Sequence, residues 1–393
     1  MSRKALTAPP GLNFKKEYKM NDLQKNWKLA KAKRKRNSLI SDLTGKKEID
    51  VLMLAYADWS NTGYRFSKCL ELLGLNVVFL KGIKHKFNYP EQARVYGKLK
   101  NKTGTFPITV SIDNFENSII RELMVKSRVI HFHATSYVLN DLDLSRKKVV
   151  VQHGGSTYRR QPGRCNSVFN KFSDATILQC PDLLNLGANN EHLIYYPVDT
   201  LLLKPNFEQA ERRVVIGHFP SRPEVKGTAT ILKVIDKLSK DPMVKDKFIY
   251  RGTRAAKGKS GQVSWERHLE RVSKCDVLIE TLNLTYKKKK FGEWGNTAIE
   301  AAALGKVVLT NSLTPDIYAK EYGDCALNIT NNAKELEDNL RRIILMSSRE
   351  LKEEKIRTRK WVVENHSMEA NAKRLWNKIY HNFFPERTPG ILK

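Results

Sequence analysis

Two successive series of short apolar runs, each run followed by a polar turn and a helical stretch, constrain this chain more than any other feature. The first series opens with Ile49-Asp-Val-Leu-Met-Leu-Ala55, which reads as a buried strand. Asp58-Trp-Ser-Asn-Thr-Gly-Tyr64 follows as a turn, Arg65–Leu73 as a helix, Gly74 as its stop, and Asn76-Val-Val-Phe-Leu80 as the next strand. Arg128-Val-Ile-His-Phe-His133, Lys148-Val-Val-Val-Gln-His153 and Asp174-Ala-Thr-Ile-Leu-Gln179 continue it. The second series runs through Arg213-Val-Val-Ile-Gly-His-Phe219, Lys247-Phe-Ile-Tyr250, Asp276-Val-Leu-Ile279 and Val307-Val-Leu-Thr310. Strands that alternate with helices pair in parallel, because each crossover returns the chain to the same end of the sheet. The expected fold is therefore α/β, with two Rossmann-like halves and functional loops at the carboxyl ends of the strands.

The predicted boundaries are a basic extension over residues 1–47, a first half over 48–205, a second half over 206–366 and a last helical segment over 367–393. The turn-rich stretch Pro197–Pro205 marks the change of half. With 393 residues, 41% of them hydrophobic, the chain is long enough for two cores. There is no run of 18 apolar residues to span a bilayer and no apolar stretch near Met1 that reads as a secretory signal. Five scattered cysteines (Cys69, Cys165, Cys180, Cys275 and Cys325) form no C-x-x-C pair, which argues against a disulfide framework or a zinc site and suits a reducing cytoplasm.

The formal net charge of +29 calls for a polyanionic neighbour: nucleic acid, an anionic membrane surface or a phosphorylated substrate. Residues 1–47 concentrate Lys25, Lys28, Lys31, Lys33, Arg34, Lys35 and Arg36, with Leu23 and Trp27 at helical spacing. Such a segment suits anionic lipid or a phosphate backbone, and a solvated tail is the plain alternative.

The candidate chemistry clusters at predicted strand ends. Gly295, Asn296 and Thr297 open a short helix before Gly305 and an apolar strand, and Glu300 sits inside it on a background of small residues. Backbone amides there suit an anion, and Glu300 suits sugar hydroxyls. An ordinary αβ unit with a solvent-facing Glu is the other reading. Ser221, Arg222 and Lys226 lie in the loop after the second half's first strand, where a cationic pair would stabilise a leaving diphosphate. Gly63 permits a close backbone approach after the first strand, or simply makes a turn. His153 ends a strand, with Arg159 and Arg160 six and seven residues on. It suits a hydrogen-bonding role, or that of a base if its pKa lies near neutrality, and the two arginines suit an anionic acceptor. His131 and His133 alternate on one strand and are packing residues or, less simply, metal ligands. Lys287–Lys290 is a solvated face or a phosphate contact.

Gly292-Glu-Trp-Gly-Asn-Thr-Ala-Ile-Glu-Ala-Ala-Ala-Leu-Gly-Lys-Val-Val308 resembles the donor-site motif of the GT-B glycosyltransferases, in particular the group 1 (family four) set. Val307 replaces the family's usual Pro. The family's first Glu falls at Gly292, and Glu293 stands one position later. Pro220-Ser221 with Lys226-Gly-Thr228 resembles the family's donor-diphosphate loop, and Asn61–Arg65 its first Gly-containing loop. The resemblance implies transfer of a sugar from a nucleotide-sugar donor, without a metal or other cofactor. It also implies a last helix that crosses back onto the first half. Arg222 and Lys226 would neutralise the diphosphate, Glu300 would hold the ribose or sugar, and His153 would orient the sugar. The expected acceptor is a glycan or lipid-linked saccharide. Alternatives are modified, hydroxymethylated DNA bases, as for some phage enzymes, and a GT-B-like binding protein without catalysis.

Overall fold

The computed structural model describes residues 48–82, 115–133, 144–209, 211–255, 263–286, 289–290 and 293–392, together with three short strands and a few isolated positions. The chain divides into Met1–Glu48 and Ile49–Lys393. Within the first unit only Arg34, Ser38, Ser41 and Glu48 are described, all exposed. The expected basic helix with Leu23 and Trp27, and Lys287, Lys288 and Gly292, lie outside the described residues.

The second unit contains two large parallel sheets, besides two small two-stranded ones. The first uses β1 (Ile49–Ala55), β2 (Val77–Lys81), β3 (Arg94–Val95), β4 (Ser127–His133), β5 (Lys148–His153), β6 (Ala175–Leu178) and β7 (Glu191–Leu193). Their order is β3-β2-β1-β4-β5-β6-β7, all parallel. The strand order reverses between β1 and β4, in register Val51 to Val129 and Met53 to His131. The second sheet uses β8 (Val214–His218), β9 (Phe248–Gly252), β10 (Val277–Ile279), β11 (Val307–Thr310) and β12 (Asn328–Ile329), in the order β9-β8-β10-β11-β12. Its reversal falls between β8 and β10. Reversal points of this kind leave a crevice outside the strand ends, where open α/β sheets take ligands.

Helices cover both faces of the second sheet, which is why its strands read as unbroken apolar runs. On one face Val307 and Leu309 join Ile216, Val277 and Ile279 under α3 (Thr228–Lys240) and α7 (Ala333–Ile344). On the other face Leu278 and Val308 meet α5 (Asn296–Ala303), α6 (Pro315–Tyr322) and Trp361 of α8 (Ser348–His366). The Lys355 ammonium is fully buried on the Asp276 carboxylate at 2.6 Å, and that carboxylate also accepts from the Val215 amide at 2.9 Å. In the first half, α1 (Thr62–Leu72) and α2 (Phe115–Lys126) flank β1 and β4; α4 (Trp265–Ser273) belongs to the second half.

The chain passes between halves at two adjacent places. Val198 bridges Ser367, and its amide donates to His366 at 2.8 Å. Beyond that point α9 (Met368–Lys378) packs Ala372, Leu375 and Trp376 against Phe66, Cys69 and Leu70 of α1. Arg387 then forks onto Asp50 of β1 at 2.8 and 2.7 Å.

Candidate functional site

At the reversal point of the first sheet, the chain's own side chains fill the crevice. Asp58 follows β1, and its carboxylate accepts from the amides of Gly63 at 2.8 Å and Tyr64 at 2.9 Å. These are first-turn amides, which have no acceptor inside their own helix. Gly63 therefore spends its amide on Asp58 and not on an added anion. Its missing Cβ has a packing reason: an added carbon would sit 2.6 Å from Phe79 Cζ and 2.8 Å from His133 Cδ2. His133 closes the far side, 3.5 Å from Asp58 Oδ1 and 3.2 Å from Thr62 Oγ1. Gln152 Oε1 lies 3.0 Å from His131 Nε2 and 2.9 Å from His133 Nδ1, so it accepts from both rings. The Tyr380 hydroxyl bonds to His131 Nδ1 at 2.9 Å. The two strand histidines thus serve a buried hydrogen-bond network, and among the described residues no cluster has metal-ligand geometry.

His153 is buried at the end of β5. Its ring stacks on Tyr158 at 4.0 Å and meets the edge of Phe169 at 5.7 Å. Burial lowers its pKa to about 3, so the ring is neutral at physiological pH and does not meet the condition for a general base near neutrality. Arg159 forks onto Asp182, with Nη2 donating to Oδ1 at 3.0 Å, and Arg160 is exposed. None of these three lines the cavity described next.

The reversal point of the second sheet opens onto a cavity of about 610 Å³. From the second half, Ser221, Lys226, Glu280, Asn296 and Glu300 line it; from the first half, Ser60 and Tyr89 do. Phe219, Trp265 and His268 add an aromatic wall. Gly295 caps α5 in an extended conformation without a side-chain cap, and Gly295, Asn296 and Thr297 all line this space, so the helix starts at the cavity wall with its first-turn amides uncapped by a side chain. Lys226 ends a short helix that stops at Gly227, where φ is +78°. A Cβ at Gly227 would meet Asn283 Oδ1 at 2.8 Å, so the turn that aims Lys226 requires glycine. The Lys226 ammonium pairs with Glu280, which directly follows β10 and also accepts from Thr310 Oγ1 at 3.0 Å. Arg222 is exposed and is not among the lining residues.

Glu300 is buried within α5. Its Oε1 pairs with the Arg65 guanidinium of α1, and the Trp265 indole donates to the same oxygen at 2.9 Å. His268 also faces the cavity. Burial lowers its pKa, with the Glu300 charge acting the other way, and its Nε2 is buried without a partner among the described residues. Glu293 points elsewhere: its Oε1 accepts from the Leu313 amide at 3.1 Å, the Thr314 amide at 3.0 Å and the Thr314 hydroxyl at 2.6 Å. It thereby caps the start of α6, and desolvation raises its pKa. The one-residue offset seen in the sequence has this physical meaning: Glu293 braces the loop behind the cavity.

No protein-family model and no curated protein matches the sequence. Solved structures match its shape. HepE from Anabaena, solved in complex with UDP and glucose, is 11% identical, with 84% of this chain and 99% of that chain covered at a TM-score of 0.54. Sucrose-phosphate synthase from Thermosynechococcus elongatus is 14% identical, covering 86% of this chain and 100% of its own, also at 0.54. A glycosyltransferase from Rickettsia africae is 13% identical, with 87% and 100% covered, at 0.51. The chain has the GT-B fold. Its GT-B cleft brings together Ser221, Lys226, Gly295, Asn296, Thr297 and Glu300 of the residues marked in sequence, and leaves Gly63, His153, Arg159, Arg160 and Arg222 outside the lining. Sequence reasoning missed Glu280, Trp265 and His268, and it marked Arg65 only as the end of the Asn61–Arg65 loop, not as the partner of Glu300. A carboxylate placed directly after an apolar strand was the available signal for Glu280.

Proposed function

We propose that this GT-B chain is a glycosyltransferase that moves a sugar from a nucleotide-sugar donor to an acceptor hydroxyl on a glycan or lipid-linked saccharide. The carrying observation is that the uncapped start of α5, Glu300 and Lys226 all line one cavity. Its volume of about 610 Å³ suits a ligand of nucleotide size. In this reading the helix amides and Lys226 receive the donor diphosphate, and Glu300 accepts from ribose or sugar hydroxyls. The bond from the anomeric carbon to the diphosphate breaks, a bond to the acceptor oxygen forms, and the acceptor proton is released. Lys226 and the amides stabilise the charge that develops on the departing nucleoside diphosphate. The UDP and UDP-glucose bound in HepE support this reading by analogy of fold. The net charge of +29 supports an anionic acceptor or surface.

The test is titration of the full chain with a panel of nucleotide sugars, then mass spectrometry of glycan acceptors offered with the donor that binds. Lys226→Ala is expected to lower turnover about 100- to 1,000-fold. Arg222→Ala is expected to cost less, since Arg222 is exposed beside the cavity and not in its lining. Wild-type turnover in Lys226→Ala, or no binding of any donor, would overturn the reading.

A further inference from the structure

Glu300 and Arg65 are 235 residues apart and belong to opposite halves, yet each side chain is only about one-twentieth exposed (5% and 6%) where they pair. Other contacts join the halves at this corner. The Trp265 amide, at the start of α4, donates to the Phe87 carbonyl at 2.9 Å, and the Tyr89 ring lies 5.5 Å from the Trp265 ring. Arg65, Trp265, Asp199, Leu203 and Met368 line a small cavity of about 30 Å³, so the corner adjoins the two chain crossings. Arg65 and Trp265 both bond to Oε1 of Glu300, while Oε2 accepts no hydrogen bond among the described residues. Arg65 Nη1 is also buried without a partner among them. Burial disfavours the charged guanidinium, and Glu300 more than offsets this, so the Arg65 pKa is raised.

We infer that Arg65 is a positioning residue: it fixes Glu300 from the opposite half, so that Oε2 alone is presented to the donor's hydroxyls and donor affinity depends on how the two halves are set. A carboxylate with neither oxygen held would rotate among several poses, and a ribose diol would meet a mixture of them. With Oε1 held by two donors, the acceptor direction of Oε2 is set before binding. Trp265 supplies part of the restraint from within the second half, and Arg65 supplies the charge and the link to the first. The inference rests on the glycosyltransferase reading.

Titration calorimetry of the full chain with UDP-glucose, GDP-mannose and ADP-glucose tests it on wild type, Arg65→Met, Arg65→Lys, Glu300→Gln and the Arg65→Met/Glu300→Gln double variant. For the donor that wild type binds, Arg65→Met is expected to raise Kd roughly 10- to 100-fold, the range for loss of a hydrogen bond to a charged group. Arg65→Lys recovers part of the loss, and the double variant binds no more weakly than Glu300→Gln alone. In turnover the loss appears in the donor KM, with kcat at saturating donor largely kept. Arg65→Met leaves a buried carboxylate uncompensated. If it does not fold, Glu300→Gln against the double variant decides: equal affinity supports the inference and weaker binding in the double variant overturns it. A wild type that binds no donor overturns the functional reading and this inference together. A wild type that binds, with Arg65→Met binding equally well or with the two substitutions additive, overturns this inference alone.

Discussion

The two halves carry the same kind of crevice and use it in opposite ways. Each sheet reverses its strand order once, between β1 and β4 in the first half and between β8 and β10 in the second. In the first, Asp58, Thr62 and His133 close over the reversal point, and the amides that begin α1 already have a carboxylate. In the second, Gly227 turns Lys226 toward the crevice, α5 begins without a side-chain cap, and a cavity of about 610 Å³ remains. Residue types at the strand ends do not separate the two, since both offer acids, bases and glycines. What separates them is whether the helix that opens at the crevice already spends its first amides on a carboxylate, and whether a cavity remains.

The largest effect expected from this contrast comes from adding one charge at the second crevice. Asn296→Asp places a carboxylate at the first position of α5, where a helix N-terminus favours negative charge by roughly 0.3–1 kcal/mol. The same charge stands where the diphosphate is proposed to sit. Stability should therefore hold or rise while donor affinity falls about tenfold or more, from like-charge repulsion in a partly desolvated site. A thermal melt and a donor titration on the same sample read both signs. Donor affinity equal to wild type would break the assignment of the α5 amides to the diphosphate.

Gly63→Ala is the mirror experiment in the first half. The added carbon meets Phe79 and His133 inside 3 Å, an overpacking that costs about 1–3 kcal/mol. Urea unfolding should show that loss, and the remaining folded protein should bind donor as wild type does. Weakened donor binding without a change in stability would mean that Gly63 faces ligand after all, and the contrast between the crevices would fail.

The parts of the fold legible in the sequence are those where both faces of a strand are covered. Val307–Thr310 and Lys148–His153 read as strands because continuous apolar runs have no other use at that length. Glu191–Leu193 and Asn328–Ile329 stayed hidden as short, half-polar outer strands. Helix α1 begins at Thr62, before the expected Arg65, because Asp58 captures its first amides through a loop with Ser60 and Asn61 both at positive φ. At the site, the Gly-rich opening of α5 and Glu300 were legible from local spacing. The pairing that sets Glu300 was not, since Arg65 and Trp265 lie 235 and 35 residues away: the Asn61–Arg65 loop pattern marks Arg65 without naming its partner, and no local pattern marks Trp265. His153 looked like a catalytic residue because its type and strand-end position said so. Its ring stack with Tyr158 is a tertiary fact that no neighbouring residue announces.

That stack yields the smallest and most specific prediction, the share of the acid response that His153 carries. His153 in the folded chain has a pKa of about 3, lowered by burial, against about 6.5 in an unfolded chain. Its folded pKa is depressed, so the unfolded state binds the proton more readily. The neutral ring contributes its stability in full above about pH 6.5, and that contribution is lost progressively as pH falls toward 3. His153→Phe keeps an aromatic ring against Tyr158 and Phe169 but removes the titration. Urea midpoints at pH 7.5 and pH 5.0 should therefore fall less on acidification in the variant than in wild type. Donor turnover at pH 7.5 should be retained, because the ring is neutral there and lies outside the cavity lining. An unchanged acid response would show that His153 titrates normally and is exposed to solvent. A retained acid response with lost turnover would instead return His153 to the site and make the first crevice a working part of it.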